Sequence, residues 1–387
     1  MGLIDKMDWV DSVIIGGGII GLATAYQLSK RWPDKSFLLL EKEASFGRGL
    51  SSRTSEVIHS GIYYPSGSLK AELCVTGNRM LYEFCFQHHV PVDRLGKLIV
   101  AQDEQELEKL EVLRQQAVQN MVPDITLLTR SQLSEIEPAV HAQAALLCPS
   151  SGIVDSHRLM AQLAYGAKAN GAMLVYQQEV TGIQLVHGGY CLEFRDAKGV
   201  ADSIYCKSII NAGGLAADQI AAMAGINVDE SGYRIYRCKG EYFAVNNRKS
   251  ALVSKLIFPV SIRELKGSGI PIIKDLKGRL RLGPDAHYAS ATATDHSVQP
   301  SNSIQFLKLV QRYLPFLELS DLQPDLAGIR PRLLVPCGSP PRDFVICHEK
   351  ERGLPGFINL IGIESPGITC CLSLAELVSD MLAEIIV

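Results

Sequence analysis

The chain contains 387 residues, of which 47% are hydrophobic and 20% are charged. This is the composition of an ordinary globular protein, and at roughly 150 residues per domain the length predicts about two to three domains. The sum of 38 Lys and Arg against 41 Asp and Glu gives a formal charge of −3. Because no basic block stands out, general nucleic-acid binding is not expected. The globular composition excludes the disordered, collagen-like and disulfide-scaffold classes.

The ten cysteines and the N-terminus indicate a protein of a reducing compartment. No C-x-x-C pair occurs, and the adjacent Cys370 and Cys371 are poorly placed for a disulfide or a zinc site, so we expect free thiols and no metal. Residues 1–6 carry no export or lipidation signal. The longest apolar run, Val13–Ala23, is broken by glycines and is too short to span a membrane. We therefore expect a cytoplasmic protein.

The first 41 residues have the pattern of a strand, a helix and a second strand. Asp11–Ile15 is an apolar run that ends in glycines, apolar residues recur at helical spacing over Ile19–Arg31, and Phe37–Leu40 is a second apolar run. The glycines form the motif G-x-G-x-x-G at Gly16–Gly21, and Glu41 follows the motif by 20 residues. A glycine motif between a strand and a helix, with this acidic residue, predicts a dinucleotide-binding βαβ unit.

Each residue of the motif has a physical role in binding a dinucleotide. Gly16 permits a tight turn, Gly18 lets a pyrophosphate approach the backbone at the helix N-terminus, and Gly21 allows the helix to pack closely on the strand. Glu41 is suited to bind the hydroxyls of the adenosine ribose. Because the motif occurs once, we expect one bound dinucleotide. The alternative is a glycine turn in an α/β protein that binds no nucleotide.

The rest of the chain shows two kinds of pattern. Residues 81–150 have the character of an insertion with a charged helix at Asp103–Gln116, and residues 232–300 alternate short apolar runs with turns, which is typical of an antiparallel sheet. The other predicted helices cover 156–170, 216–224, 304–313 and 369–386, and the other predicted strands cover 172–176, 181–186, 190–194, 208–211 and 356–361. These patterns predict an α/β fold with a second domain of α+β type.

Motifs spread over nearly the whole chain resemble those of one flavoprotein family. Besides Gly16–Gly21 with Glu41, they are Glu56–Pro65, Ser68–Ala71, Gly96–Val100, Gly152–Asp155, Lys239–Tyr242, Leu282–Asp285, Gly328–Pro331 and Asn359–Gly367. On these motifs the chain resembles FAD-dependent oxidoreductases of the D-amino-acid oxidase type, in the glutathione-reductase-like superfamily. Within them it is similar to L-2-hydroxyglutarate dehydrogenases or oxidases.

The resemblance implies a fold, a cofactor and a division into domains. The expected FAD-binding domain is Rossmann-like, of the glutathione-reductase type, and is discontinuous, with residues 1–80, 150–215 and 328–387. The expected substrate-binding domain, residues 81–149 and 216–327, carries the antiparallel β-sheet. The cofactor implied is FAD.

The resemblance also implies which residues bind FAD. The glycine motif would face the pyrophosphate, Glu41 the adenosine ribose, Ser52 and Arg53 the phosphate and ribityl region, and the backbone of Val180 the adenine. The N-terminus of the last helix would face the flavin pyrimidine ring and stabilise the anionic reduced flavin. The full expected set is Gly16, Gly18, Ile19, Ile20, Gly21, Glu41, Lys42, Ser51, Ser52, Arg53, His59, Ser60, Gly61, Val180, Ala212, Gly213, Gly214, Arg330, Gly362, Glu364, Ser365, Pro366, Gly367 and Ile368.

His59 is the candidate catalytic base. Oxidation of a 2-hydroxy acid requires a group that accepts the hydroxyl proton while hydride leaves for flavin N5, and a neutral imidazole suits this task near neutral pH. His59 lies in an aromatic-rich loop after the expected phosphate segment, where the family places residues against the isoalloxazine. The alternative is a histidine that packs or contacts the flavin without proton chemistry.

A dicarboxylate substrate requires fixed cations and hydroxyl donors. For these we expect Arg330, Tyr63, Tyr64, Lys239 and Lys274, with Arg330 as the clamp because a planar guanidinium binds a carboxylate through two parallel hydrogen bonds. The alternative for each is a surface or interdomain ion pair.

The segment Gly269–Lys274 departs from the family pattern. A Gly-x-His-x-Thr-like strand is typical of the 2-hydroxyglutarate enzymes, and the histidine is absent here. Either its task has passed to His59 and Lys274, or the substrate differs.

The reaction expected is oxidation of a small L-2-hydroxy acid, most simply L-2-hydroxyglutarate, to the 2-oxo acid. The alternatives are oxidation of sn-glycerol 3-phosphate or of an amino acid or amine, and a non-catalytic FAD-binding subunit of an electron-transfer complex. The electron acceptor would be oxygen, a quinone or an electron carrier. A quinone would require peripheral contact with the inner membrane through the final helix, 372–387, whose alternative role is packing on the FAD-binding domain.

Overall fold

The computed structural model describes residues 9–260, 269–290, 294–333 and 342–386. The described helices are α1 (Ile19–Arg31), α2 (Leu69–Gln87), α3 (Glu104–Gln119), α4 (Arg130–Ile136), α5 (Ser156–Ala169), α6 (Ala217–Met223), α7 (Asn247–Ser250), α8 (Ser303–Val310) and α9 (Gly367–Ile386). The first ten strands are β1 (Trp9–Ile15), β2 (Phe37–Glu41), β3 (Val57–Ile58), β4 (Val92–Asp93), β5 (Lys97–Ala101), β6 (Thr126–Thr129), β7 (Ala144–Cys148), β8 (Gly152–Val154), β9 (Met173–Tyr176) and β10 (Gln178–Val186). The others are β11 (Gly189–Asp196), β12 (Ala201–Asn211), β13 (Ile235–Val245), β14 (Leu256–Pro259), β15 (Ile272–Lys274), β16 (Leu280–Leu282), β17 (His287–Tyr288), β18 (Leu322–Leu333), β19 (Val345–His348) and β20 (Phe357–Ile361).

The described residues divide into two compact units. Unit 1 is formed from Met1–Ser52, Ser156–Tyr236 and Pro331–Val387, and unit 2 from Arg53–Asp155 and Arg237–Arg330. Each unit has its own sheet and its own apolar core.

Unit 1 is built on an eight-stranded mixed sheet. The neighbours β20, β12, β1, β2 and β9 run parallel, whereas the hairpin of β10 and β11 continues the sheet in antiparallel pairing along β12. The parallel strands are apolar and covered by helices, as parallel sheets require. Helix α1 buries ten of its 13 residues, since α5 and α9 pack against it.

Unit 2 is built on a nine-stranded sheet in the order β17-β13-β16-β15-β14-β5-β7-β6, with β18 paired to β13. The β14–β5 pair is parallel, and the neighbouring pairs along β13, β16, β15, β7 and β6 are antiparallel. A small antiparallel sheet, β3-β8-β4, belongs to the same unit. The predicted α/β class with an antiparallel second region is confirmed.

The elements agree well with those predicted where hydrophobic periodicity is strong. The predicted first strand, helix and second strand are β1, α1 and β2, and the predicted charged helix is α3. Strand β12 begins seven residues earlier than the predicted 208–211. Its first half pairs with β11 and exposes polar residues on one side, so it lacks the continuous apolar run of the buried second half. Some predictions include residues outside the described part of the chain. These are residues 1–8 for the N-terminus, 261–268 and 291–293 for the antiparallel sheet, and 387 for the final helix.

The two units differ from the predicted domains at all four boundaries, and most at two of them, since the boundaries near residues 150 and 328 differ by only six and three residues. Residues 53–80 belong to unit 2, because β3 pairs with β8 and the Asn120 side chain donates to the carbonyl oxygens of Gly61 and Tyr64. Residues 216–236 belong to unit 1, because α6 packs on β10, β12 and β20. The assignment of FAD and substrate to these units stays a prediction.

No helix in the described part of the chain is long and apolar enough to cross a membrane. The nine cysteines of that part are free thiols, and seven of them are buried.

The change Gly21→Ala should destabilise unit 1. A Cβ at this position would lie 1.9 Å from the carbonyl oxygen of Gly16, so α1 and the preceding turn would have to separate. We expect the free energy of unfolding of the apoprotein to fall by about 2 to 3 kcal/mol. Gly49→Ala is the control, since nothing lies within 4 Å of a Cβ there. Thermal unfolding measures both, and equal midpoints would contradict the packing argument.

Candidate functional site

Most of the residues predicted to bind FAD in unit 1 lie at one edge of its sheet. Strands β20, β12, β1 and β2 are adjacent and parallel, so their carboxyl ends meet at the same edge. The segments that follow these ends are Gly16–Gly21, Glu41–Lys42, Ala212–Gly214 and Gly362–Ile368. In open α/β sheets, ligands bind outside the carboxyl ends of the strands.

The turn between β1 and α1 is held by close backbone contacts. Gly16 has a φ of +112°, and a Cβ there would lie 2.4 Å from the carbonyl oxygen of Ala212. Gly18 is the N-cap of α1 and offers no side chain to the helix, and the Ile19 amide donates to Ser51 Oγ at 3.0 Å. No acidic residue occupies the first turn of α1. This helix end therefore has the positive character that suits a phosphate, although Ser51 Oγ already accepts from its first amide.

Glu41 lies directly beside the glycine turn. Its Oε2 accepts a hydrogen bond from the Gly17 amide at 2.6 Å, and its Oε1 accepts one from the Glu43 amide at 2.8 Å. These two bonds fix the carboxylate at the end of β2. The expected ribose contact of Glu41 is compatible with this placement and stays a prediction.

Ser51, Ser52 and Arg53 follow β2 in the chain. Ser51 and Ser52 are in a short 3₁₀ turn, Leu50–Ser52, where Ser52 Oγ donates to the Gly47 carbonyl. The Nε of Arg53 is buried and has no hydrogen-bond acceptor among the described residues. A buried guanidinium N–H without an acceptor is costly, so Arg53 fits an anionic group such as a phosphate.

The remaining predicted cofactor residues of unit 1 lie in strand β10, in the loops that follow β12 and β20, and at the start of α9. A bulge follows Val180 in β10, and the Gly213 amide donates to Asn211 Oδ1 at 3.2 Å. In the loop before α9, Gly362 has a φ of +72°, and Glu364 Oε2 accepts from Arg332 Nε at 3.1 Å. Helix α9 then begins at Gly367 without an acidic residue in its first turn.

His59 lies in unit 2, on the segment that follows β3. Its Nδ1 is enclosed while part of the residue stays accessible, and its ring meets Phe258 edge-on at 6.4 Å between centroids. Asn78 Nδ2 donates to the His59 carbonyl at 2.9 Å and to the Ser150 carbonyl at 2.9 Å. Burial, followed by the charge of Lys97, lowers the pKa of His59 well below its ordinary value. The imidazole is therefore neutral at neutral pH.

Lys97 lies beside this histidine and is a residue that the sequence analysis missed. It belongs to β5 and is 0% exposed, and its Nζ lies 4.6 Å from the Phe258 ring centroid and 5.5 Å from that of Tyr63. The Tyr63 hydroxyl donates to the Pro259 carbonyl at 3.0 Å. The available signal was a lysine inside the otherwise apolar run Gly96–Ala101, where a charge is unexpected.

Arg330, the expected carboxylate clamp, is held by backbone carbonyls of unit 2. Its Nη2 donates to the Asp285 carbonyl at 2.6 Å and its Nε to the Cys238 carbonyl at 3.4 Å. No described hydrogen bond uses Nη1. Nη2 also lies 3.5 Å from the Lys239 carbonyl and 3.7 Å from Cys238 Sγ, so three carbonyls and a thiol hold the guanidinium through Nε and Nη2.

The two lysines predicted to bind substrate have partners within unit 2. Lys239 Nζ lies 3.3 Å from Glu241 and 3.2 Å from Asp295, which is the ion-pair alternative given for it. Lys274 Nζ donates to the Val253 carbonyl at 2.6 Å. No described contact joins either lysine to His59, whereas Tyr63 shares the Phe258 ring with it at 6.4 Å.

The glycine turn, the carboxylate at the end of β2 and the parallel carboxyl edge define a Rossmann-like dinucleotide-binding unit. The chain belongs to the family described as FAD dependent oxidoreductase, whose model matches residues 11–381. FAD is accordingly the cofactor, as predicted, and the protein is an oxidoreductase.

Relatives of known name match almost the full chain. The chain is 34% identical to the mitochondrial L-2-hydroxyglutarate dehydrogenase of Arabidopsis thaliana, over 96% of this chain and 83% of that protein. It is 31% identical to the L-2-hydroxyglutarate dehydrogenase of Escherichia coli K12, over 96% and 93%. The human mitochondrial L-2-hydroxyglutarate dehydrogenase is 30% identical, over 96% and 88%.

Solved structures share the fold. The dithionite-reduced L-alpha-glycerophosphate oxidase of Mycoplasma pneumoniae, with FAD bound, aligns with a TM-score of 0.85 at 28% identity, over 97% of this chain and 95% of that chain. The glycine oxidase of Geobacillus kaustophilus aligns with a TM-score of 0.80 at 21% identity, over 98% and 95%.

The change Glu41→Ala should weaken FAD binding. The carboxylate is fixed by two amides at the carboxyl edge, and its loss removes an acceptor for charge-assisted hydrogen bonds. We expect the Kd for FAD to rise by on the order of 10- to 100-fold. Glu43→Ala is the matched control, because Glu43 donates to Glu41 only through its backbone amide, which the substitution keeps. Fluorescence titration of the apoprotein with FAD measures both, and unchanged affinity of the Glu41 variant would rule out the ribose role.

Proposed function

We propose that the protein oxidises a small L-2-hydroxy acid, most simply L-2-hydroxyglutarate, to the corresponding 2-oxo acid. The observation that carries the proposal is the His59 environment: a partly accessible imidazole, neutral at neutral pH, beside a buried ammonium. Such a group can accept the proton of a substrate hydroxyl. The three relatives named as L-2-hydroxyglutarate dehydrogenases, each matched over 96% of this chain, support the choice of substrate.

The roles proposed for the residues follow from their chemistry. Gly18, Glu41 and Arg53 would hold FAD, which when bound accepts the two electrons that leave the α-carbon. His59 takes the hydroxyl proton on its neutral imidazole. Arg330, oriented by its three carbonyl contacts, presents Nη1 to a substrate carboxylate. Lys239 and Lys274 are left out of this proposal because their ammonium groups have protein partners.

Glycerol 3-phosphate oxidation is the second candidate, since the solved glycerophosphate oxidase is similar over nearly the whole chain. An amino acid would be oxidised by the same two-electron chemistry. Either activity requires an electron acceptor, for which oxygen, a quinone and an electron carrier are the classes to compare.

Contact with a membrane through the final helix is not part of this proposal. Helix α9 packs on α1 within unit 1, and Leu374, Val378 and Leu382 are fully buried there. A location in the cytoplasm stays an expectation drawn from the sequence.

The first test is anaerobic reduction of the holoenzyme flavin. We expect L-2-hydroxyglutarate to bleach the oxidised-flavin absorbance rapidly, while its D isomer, L-lactate, glycerol 3-phosphate and amino acids act slowly or not at all. Stopped-flow absorbance measures the rate for each donor. Fast bleaching by glycerol 3-phosphate or an amino acid, with none by L-2-hydroxyglutarate, would replace the proposed function.

The change His59→Gln should slow flavin reduction by on the order of 100-fold, because a base is removed from the proton transfer. His187→Gln, at an exposed position, is the control. Full FAD content in both variants is required for the comparison. A wild-type rate in the His59 variant would remove the histidine from the mechanism.

The pH dependence offers a further test of His59. Because burial lowers its pKa, the imidazole stays deprotonated at pH values where an exposed histidine is already protonated. We therefore expect the reduction rate of the wild type to hold as the pH falls through the ordinary histidine range, and to drop only at lower pH. A drop within the ordinary range would contradict the enclosed, neutral imidazole.

A further inference from the structure

Lys97 is a buried cation without an acceptor. Its side chain is 0% exposed, and among the described residues no oxygen, nitrogen or sulfur accepts a hydrogen bond from its Nζ. A buried ammonium without a partner is strongly unfavourable, since nothing replaces the water that it loses. Burial accordingly lowers the pKa of Lys97.

The surroundings of Lys97 do not neutralise it. The faces of Phe258 and Tyr63 give cation–π contacts, which compensate in part. The neighbouring groups that would attract its ammonium if they were ionised are the thiols of Cys74 and Cys148. Burial raises the pKa of Cys148 to about 11, so this thiol is neutral near pH 7.

Further buried donors lie on the segments that adjoin Lys97. The Gly96 amide donates to the Ser151 carbonyl at 2.9 Å, and the buried Ser151 hydroxyl has no partner among the described residues. The buried Ser60 hydroxyl faces the Cys148 thiol, which is a weak partner, and Cys148 is opposite Lys97 in the β5–β7 pair. A buried ammonium without an acceptor, on a strand whose neighbouring segments carry two buried hydroxyls, suits an anion.

The position of His59 indicates which anion Lys97 would bind. The charge of Lys97 acts on His59, and Phe258 contacts both side chains. If His59 takes the proton of the substrate hydroxyl, the anion beside it is the carboxylate bonded to the hydroxyl-bearing carbon.

We propose that Lys97 binds the C1 carboxylate of the 2-hydroxy acid, with the Ser60 and Ser151 hydroxyls as additional donors. This inference rests on the proposed function and assigns a substrate-binding role to a residue of the motif Gly96–Val100 for which the sequence analysis gave none. It predicts that every 2-hydroxy acid or 2-oxo acid that binds the holoenzyme depends on Lys97, since all of them carry this carboxylate.

The test is carboxylate binding to the oxidised holoenzyme of wild type, Lys97→Met and Lys255→Met. Lys255 is the matched control because its ammonium already donates to the Leu95 carbonyl at 3.2 Å. Titration with 2-oxoglutarate and with oxalate, followed by the change in flavin absorbance, gives the Kd. We expect Lys97→Met to raise both Kd values by on the order of 10- to 100-fold and Lys255→Met to leave them unchanged.

Stability provides a readout that separates binding from a structural role. Lys97→Met removes an unpaired buried charge and places an apolar chain of similar length on Phe258, so we expect the unfolding temperature without ligand to equal or exceed that of the wild type. If this variant does not fold, Lys97→Gln takes its place in the same titrations. A lower unfolding temperature together with wild-type Kd values would mean a structural lysine and would overturn the inference.

The remaining outcomes separate this inference from the proposed function. Bleaching of the wild type by L-2-hydroxyglutarate, with unchanged Kd values in the Lys97 variant, would overturn the Lys97 assignment alone. No bleaching of the wild type, with oxalate binding that depends on Lys97, would overturn the choice of substrate and support the carboxylate site. A wild-type flavin that responds to neither carboxylate would overturn the inference.

Discussion

The close backbone contact of the glycine turn is the constraint on which unit 1 depends. Gly21 approaches the Gly16 carbonyl, and Gly16 approaches the Ala212 carbonyl, at distances that no side chain permits. These contacts bring α1 onto β1 and bring the end of β1 beside the end of β12. The amide of Gly17 then meets the Glu41 carboxylate. A helix terminus, two strand ends and a fixed carboxylate are thus placed together by the absence of Cβ atoms.

The buried polar network of unit 1 and the buried lysine of unit 2 are in opposite situations. In unit 1, Asn211 donates to Asn359, and both Asn359 and Tyr233 donate to Glu349, so this buried network is supplied with partners from its own chain. In unit 2, Lys97 is enclosed among rings and thiols with no acceptor within the described residues. A satisfied network fixes one arrangement of strands, whereas an unsatisfied donor is retained at a cost in stability, which is typical of positions that serve ligands.

The sequence predicted the features that are formed by residues adjacent in the chain. It missed contacts between side chains that are distant in the chain. Turn, helix and strand at Gly16–Glu41 are adjacent in the chain, so spacing alone identified the nucleotide unit. Asp295, which pairs with Lys239, and Val253, whose carbonyl accepts from Lys274, are distant in the chain, and no local pattern reports these two partners. Lys97 was missed although it interrupts an apolar run, because its importance follows from the absence of an acceptor among the described residues. Domain limits differed where short strands decide the packing, as at β3.

Strand β12 divides its outer side between two partners. Residues 201–206 pair with β11, and residues 209–211 pair with β20. The hairpin turn at 197–200 is exposed, and nothing lies within 4 Å of a Cβ at Gly199. This turn adjoins the first residue of β12, whereas the nucleotide edge adjoins its last. The turn at 197–200 and the nucleotide edge are therefore separated by the full length of β12. A fluorophore or affinity tag inserted in this turn would leave the residues at the nucleotide edge unchanged.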